Sequence, residues 1–261
     1  MCIFSRTEII TIRVGRKRKE FKIHKTLICQ KSDYFQKTFA AGHFEEGEEE
    51  MVHLPDEASE VFALFVDWIY RDEIPYNNNE EHFYNLFKLY IFAEKIVLKE
   101  LADTTIDQIQ GLCMDHEEWK SPLSPELTNY VYSKTRIGSP LRELCIHELA
   151  FGLFESSEGS SEEPLPALDR IEDIRRICKG RSDFLVDYLV YLKKNYKNGL
   201  PNPSAIRQCN GGCFYHAHDQ DNQEIPCSLS DCDEEEWEEW EELSSDEAKR
   251  NLLRNESSRD D

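Results

Sequence analysis

The sequence predicts an α+β fold, and three observations carry that prediction. Near its start, Glu8–Val14 (EIITIRV) and Glu20–Ile23 alternate apolar and polar residues with the period of half-buried strands, and a turn at Gly15 joins them into a hairpin. Farther on, Val61, Leu64, Phe65, Trp68 and Ile69 recur at i, i+3, i+4, i+7 and i+8, the spacing of a core-facing helix. Phe83, Leu86, Phe87, Tyr90 and Ala93 repeat that helical spacing, and Leu98, Leu101, Ile106 and Ile109 continue it.

Taken in order, the hairpin tip is basic (Arg16, Lys17, Arg18, Lys19), which suits either a solvated turn or an anion-binding or import patch. The strand through Phe21 and Ile23 runs into His24-Lys25, a short apolar helix at Leu27 and Ile28, and a second helix. Ser32 stands at the cap position of that second helix, and Asp33 puts negative charge in its first turn, where the helix dipole favours it. Phe35 and Phe39, four apart, share a face. An acidic stretch leads from His43 to Glu50, and Met51–Leu54 reads as a short strand. Phe62 and Val66 add a second apolar flank to the helix that follows. Asn77-Asn78-Asn79 forms a turn.

Composition narrows the function classes. The chain has 261 residues, room for one large domain or an ordinary one with appendages, and is 39% hydrophobic with 14 Phe and 11 Tyr. A net charge of −21 disfavours nucleic acid and anionic membranes as direct partners. No apolar run approaches the roughly 18 residues of a membrane span, and no secretory signal is visible, so cytoplasm or nucleus is the expected location. There the nine cysteines are expected as thiols or metal ligands rather than disulfides. No P-loop, G-x-S-x-G elbow, H-E-x-x-H or dinucleotide glycine motif is present, so no enzyme is expected.

The stretch FKIHKTLICQKSDYF (Phe21–Phe35) resembles the F-x-V-H-K-x-x-L-x-x-x-S-x-Y-F signature of the BTB/POZ domain. Val52-His53-Leu54 with VFALFVDWIY is similar to that family's V-x-L strand and W-x-Y helix, and LYIFAEKIVLKELAD to its leucine-rich run. The likeness is greatest to BTB proteins of filamentous fungi. It implies a BTB/POZ fold, a short mixed sheet flanked by helical hairpins, over residues 1–110. Within that fold His24 is expected as a buried histidine holding backbone groups rather than a catalyst.

Behind this core, Leu112–Lys120 is polar enough for a linker, and Ser124-Pro125-Glu126 and Ser139-Pro140 are helix starts. TNYVYSKTRIGSPLRELCIHELAF resembles the helical extension behind fungal BTB cores, so residues 111–200 are expected as that extension, with a mobile loop near 155–166. Ile171, Ile174 and Ile177 mark one further helix, and Phe184, Leu185, Tyr188, Leu189 and Leu192 another. Residues 201–261 are expected as a Cys/His-containing, acidic and largely disordered tail.

In that tail Cys209, Cys213, His216 and His218, with Cys227 or Cys232 as substitutes, are candidate ligands for a structural zinc. The alternative is a tail with free thiols. Asp233–Glu247 (DEEEWEEWEELSSDE) holds ten acids and no base around Trp237, Trp240 and Leu243. It reads either as a solvating tail or as a recognition segment that folds onto a basic partner.

Function follows from the resemblance, which implies a non-enzymatic protein–protein interaction module. BTB domains commonly homodimerise, and many present substrates to cullin-3 ubiquitin ligases. The hydrophobic-x-Glu element that such an adaptor needs is met by Phe44, Glu45 and Glu46. With seven residues ahead of the first strand, the N-terminal helix that long BTB domains exchange between partners is not expected. The alternative reading is a transcription or chromatin-associated regulator that recruits partners through the BTB domain and reaches DNA through them.

Overall fold

A computed structural model describes residues 8–40, 51–115, 123–154, 166–195 and Tyr215. Among these are three strands, β1 (Ile9–Val14), β2 (Lys19–His24) and β3 (Met51–Leu54). The helices among them are α1 (Lys25–Lys31), α2 (Asp33–Ala40), α3 (Ser59–Arg71), α4 (Glu80–Lys95), α5 (Lys99–Asp115), α6 (Pro125–Lys134), α7 (Pro140–Phe154), α8 (Pro166–Gly180) and α9 (Ser182–Asn195). The described residues group into two units, one drawn from Met1–Lys120 and Tyr130–Leu141, the other from Ser121–Asn129 and Arg142–Tyr215.

The first unit contains a mixed sheet in the order β2-β1-β3. β2 pairs antiparallel with β1 through a turn closed by the Arg18 N–H donating to the Gly15 carbonyl at 3.0 Å. β3 pairs parallel with β1, and the chain between them runs back along the antiparallel β2 and then through α1 and α2. Alternation sets the faces: Ile10, Ile12 and Val14 of β1 are buried with Ile23 and Leu54, while Ile9, Thr11 and Arg13 lie on the other side. The register places Ile10 against Ile23 and Val14 against Leu54 on the inner face, and Arg13 opposite Glu20 on the outer one, where they form a 2.8 Å ion pair.

Phenylalanines fill the space between sheet and helices. Phe65 of α3 meets Phe35 of α2 at 5.8 Å, Phe92 of α4 at 5.3 Å and Phe62 at 5.3 Å between ring centroids. Phe62 in turn takes Phe21 of β2 edge-on at 4.9 Å, and Phe35 stacks on Phe39. Phe62, expected on a flank of α3, is in the core at 1% exposure, whereas Leu64 is half-buried. The expected faces of α4 and α5 are buried as the spacing predicts, but Leu89 and Phe92 are buried too, since α4 packs on both α3 and α5.

Helix ends follow local chemistry with two exceptions. The Asn79 side chain accepts the His82 N–H at 2.7 Å, capping α4, and the Ser124 hydroxyl accepts the Leu127 N–H at 3.1 Å, capping α6. Ser32 differs from expectation: its carbonyl starts α2 by accepting the Gln36 N–H, but its buried hydroxyl makes no cap bond. The stretch expected as a linker also differs, for α5 runs on to Asp115 with Leu112 fully buried.

In the second unit, Leu144, Cys145, Ile146, Leu149 and Ala150 bury α7 nearly all round, and α8 packs on α9. Ile177 is the buried isoleucine of α8, while Ile171 is exposed. The buried face of α9 is Phe184, Tyr188 and Tyr191. Buried Arg142 of α7 pairs with Asp183 in the first turn of α9 at 3.2 Å.

The end of α4 carries a strained residue. The Leu98 N–H bonds the Ala93 carbonyl at 2.9 Å and the Val97 N–H the Glu94 carbonyl at 3.1 Å, the paired bonds of a Schellman motif. That motif wants glycine at its left-handed position, yet Val97 occupies it at φ 55° with 79% of its surface exposed. A β-branched residue there costs about 1–2 kcal/mol, and little packing holds the side chain. Val97→Gly is therefore expected to raise stability by about 0.5–1 kcal/mol, after subtracting glycine's greater unfolded-state entropy. Urea unfolding of the full chain measures this.

Candidate protein-interaction surface

Phe44, Glu45 and Glu46 fall within residues 41–50, outside the described residues. What the structure describes is the framework on either side of them, where α2 ends at Ala40 and β3 starts at Met51. Phe35 and Phe39 clamp α2 to the core, and Lys25 lies beneath its last turn. Lys25 is only 3% exposed, which an ammonium tolerates when paired. Its Nζ reaches Glu8 Oε1 at 3.2 Å and sits 5.9 Å from the Phe39 ring centre, while its N–H donates to the Glu8 carbonyl at 2.9 Å. One buried cation thus ties the start of β1, the start of α1 and the end of α2 together. On the other side, β3 is held by its ladder to β1 and by the Gly15 N–H donating to the Leu54 carbonyl.

The outward side of α2 presents Asp33, Tyr34, Gln36 and Lys37 to solvent. Tyr34 stands edge-on against Phe35 at 5.1 Å, so an aromatic ring on a fixed base faces outward. On α4, Lys95 donates to Glu57 Oε1 at 2.6 Å, and that hydrogen bond holds its ammonium above the usual lysine range.

His24 is not the buried histidine expected. It is exposed, and the Tyr70 hydroxyl accepts its backbone N–H at 3.1 Å and lies 2.8 Å from its Nδ1. The phenol donates to Nδ1 when the ring proton is on Nε2 and accepts from it when that proton is on Nδ1. The pair fastens the end of β2 to the end of α3. A second clasp joins Lys31 to Asp72, the left-handed C-cap of α3, with the ammonium 4.8 Å from the Trp68 ring centre.

Residues 9–108 match the BTB/POZ domain family. This part of the chain is a BTB/POZ domain. Its mixed three-stranded sheet and helical body are those of that fold, as the sequence predicts, and the domain is a protein–protein interaction module, not typically an enzyme. No curated protein matches the chain. Among the described residues no helix is long and apolar enough to cross a membrane.

The zinc candidates Cys209, Cys213, His216 and His218, with Cys227 and Cys232, also lie outside the described residues, as does the acidic tail. Among the described residues no group of three or more His, Cys, Asp or Glu could hold a metal. Tyr215, between Cys213 and His216 in the chain, is described and is 1% exposed. Its hydroxyl pairs with His147 Nδ1 of α7, and the His147 ring packs on Tyr191 of α9 with centroids 4.3 Å apart. The sequence held one sign of this anchor, an aromatic pair, Phe214-Tyr215, in a segment otherwise poor in apolar residues. Cys145 of α7 is fully buried, and burial pushes its thiol up, away from the thiolate form.

Burial, reinforced by the charge of Lys194, pulls His147 down to about 4 from an ordinary value of 6.5. The folded chain therefore keeps this ring neutral over a range where the unfolded chain protonates it. Above pH 6.5 both states are neutral and the group is silent; as pH falls from 6.5 toward 4, protonation favours unfolding by up to about 3 kcal/mol. Subtracting the unfolding free energy of His147→Phe from that of the wild type across pH 7 to 4 isolates this slope. The difference is expected to shift against the wild type as pH falls, and a flat difference would refute the assignment.

Proposed function

We propose that the BTB/POZ domain works as a substrate adaptor for a cullin-3 ubiquitin ligase, as a homodimer, in the cytoplasm or nucleus. The observation that carries the reading is how the described residues on either side of 41–50 are held. The buried Lys25, paired with the part-exposed Glu8, sits under the end of α2, and the β1–β3 ladder holds the return. Phe44 supplies the apolar anchor, and Glu45 and Glu46 supply the carboxylates that meet a basic residue of a helical partner. The outward face of α2, just before this segment in the chain, presents Tyr34 and Lys37 to solvent.

Phe44→Ala combined with Glu46→Ala is expected to lower cullin-3 recovery in a pull-down at least tenfold, since anchor residues of this kind are worth about 2 kcal/mol or more. The melting temperature is expected to stay within a degree or two. Recovery unchanged in the double variant, or absent with the wild type, removes the adaptor reading. Sedimentation of the full chain reads the dimer separately.

A structural zinc held by Cys209, Cys213, His216 and His218 is proposed with it. The supporting observation is that Tyr215, inside this ligand run, is buried and its hydroxyl pairs with His147. Metal analysis of the purified chain is expected to find one zinc per chain and four thiol or imidazole groups protected from titration. Zinc-free protein with all tail thiols reactive rejects the site.

A further inference from the structure

We infer that the acidic segment Asp233–Glu247 docks on the outward face of α9 within its own chain. The face is unusual for a surface helix. Leu185, Val186, Leu189 and Val190 are 40%, 59%, 55% and 61% exposed, while Phe184, Tyr188 and Tyr191 bury the opposite side. Their i, i+1, i+4, i+5 spacing puts the four aliphatic side chains in one stripe. Together they leave apolar surface on the order of a few hundred Å², the size that marks an interaction site on a soluble protein. A helix of this kind ordinarily turns charged residues outward; α9 is apolar on both sides.

Charge selects the occupant. Lys193 continues the stripe one turn beyond Leu189 and is exposed, as is Lys194. On α8, which packs on α9, Lys179 is exposed, as are Arg175 and Arg176, which pair with Glu172 and Asp173 of the same helix. Over Pro166–Asn195 there are seven Lys or Arg and five Asp or Glu, a net of 7 − 5 = +2 in a chain whose total is −21. The apolar stripe therefore belongs to the positive part of a strongly negative molecule, and an acidic partner is attracted to it. The chain itself carries one: ten acids and no base in Asp233–Glu247, around Trp237, Trp240 and Leu243. Three apolar residues at three-residue intervals share one side of a helix, the form in which an amphipathic segment fills an apolar surface, with tryptophan as the strongest anchor. Residues 196–232 separate α9 from this segment, and at a maximum of ~3.3 Å per residue they reach any point of a helix ~21 Å long. Such a tether supplies an effective concentration in the millimolar range, so a weak contact suffices. Docked, the segment covers the stripe and withholds the tryptophans from other proteins.

Carbodiimide crosslinking of the full chain tests this, using a mixture of ¹⁴N- and ¹⁵N-labelled protein. Linked peptides joining carboxylates of 233–247 to Lys193, Lys194 or Lys179 are expected within single-isotope chains. Leu189→Asp, on the exposed stripe, and the pair Trp237→Ala with Trp240→Ala are each expected to cut their yield roughly tenfold, as for loss of an anchor. The absence of such links overturns the proposal. So does a yield that neither substitution changes, which would mean charge attraction alone. Mixed-isotope links making up about half of the total in an equal, co-refolded mixture, the share that random pairing between copies gives, also overturn it, since a second copy would then be the occupant.

Discussion

Phe65 is the residue on which the BTB unit turns. Its ring touches Phe35, Phe62 and Phe92, so α2, α3 and α4 all close on one side chain, and Phe62 passes the contact to Phe21 of the sheet. Aromatic rings bury large areas in fixed edge-to-face or offset geometries, so a cluster of them sets distances and angles between elements as well as holding them together. Moving any one helix here disturbs a ring packed against two others.

The polar groups at the edge of this cluster hold chain ends rather than the middle of elements. Lys25 fastens the starts of β1 and α1 to the end of α2, the Tyr70 phenol fastens β2 to α3, and Lys31 closes on the C-cap of α3. Each lies where an element stops and the chain must change direction, and there the backbone lacks the repeating bonds that hold an element's interior. An interaction domain has use for this arrangement. A loop that docks a partner loses less entropy on binding when both of its ends are already fixed.

How much of this was legible depended on whether a residue's role followed from spacing. The helical faces of α3, α4 and α5 were, because apolar residues at i, i+3, i+4 and i+7 have no other economical use. The strands were legible from their alternation. His24 was misread because a polar residue in an apolar signature suggests burial, whereas alternation along β2 puts position 24 outward, on the opposite side from Ile23. The buried polar residue was its neighbour Lys25, made tolerable by Glu8, a partner 17 residues away that no local pattern reveals. Ser32 was misread for another reason: the capping residue type was present, but its buried hydroxyl makes no hydrogen bond, which leaves only the backbone carbonyl to start the helix. The loop residues Phe44, Glu45 and Glu46 rest on the resemblance and on their chemistry.

The helix α9 shows a further limit of reading by hydrophobic pattern. Phe184, Leu185, Tyr188, Leu189 and Leu192 predict one helix correctly, but periodicity alone does not say which apolar residues are buried when both faces qualify. The structure assigns the aromatic side to the core, where Tyr191 packs on His147, and the aliphatic side to solvent. That choice is physical. Aromatic rings gain from ring contacts that aliphatic side chains cannot make, and α7 offers an imidazole as the partner. An aliphatic stripe left outside a strongly charged protein is then itself information, since water disfavours it and no ring geometry requires it there. Lys193 and Lys194 at the end of α9 give that stripe a basic border, which favours an acidic neighbour over a basic one.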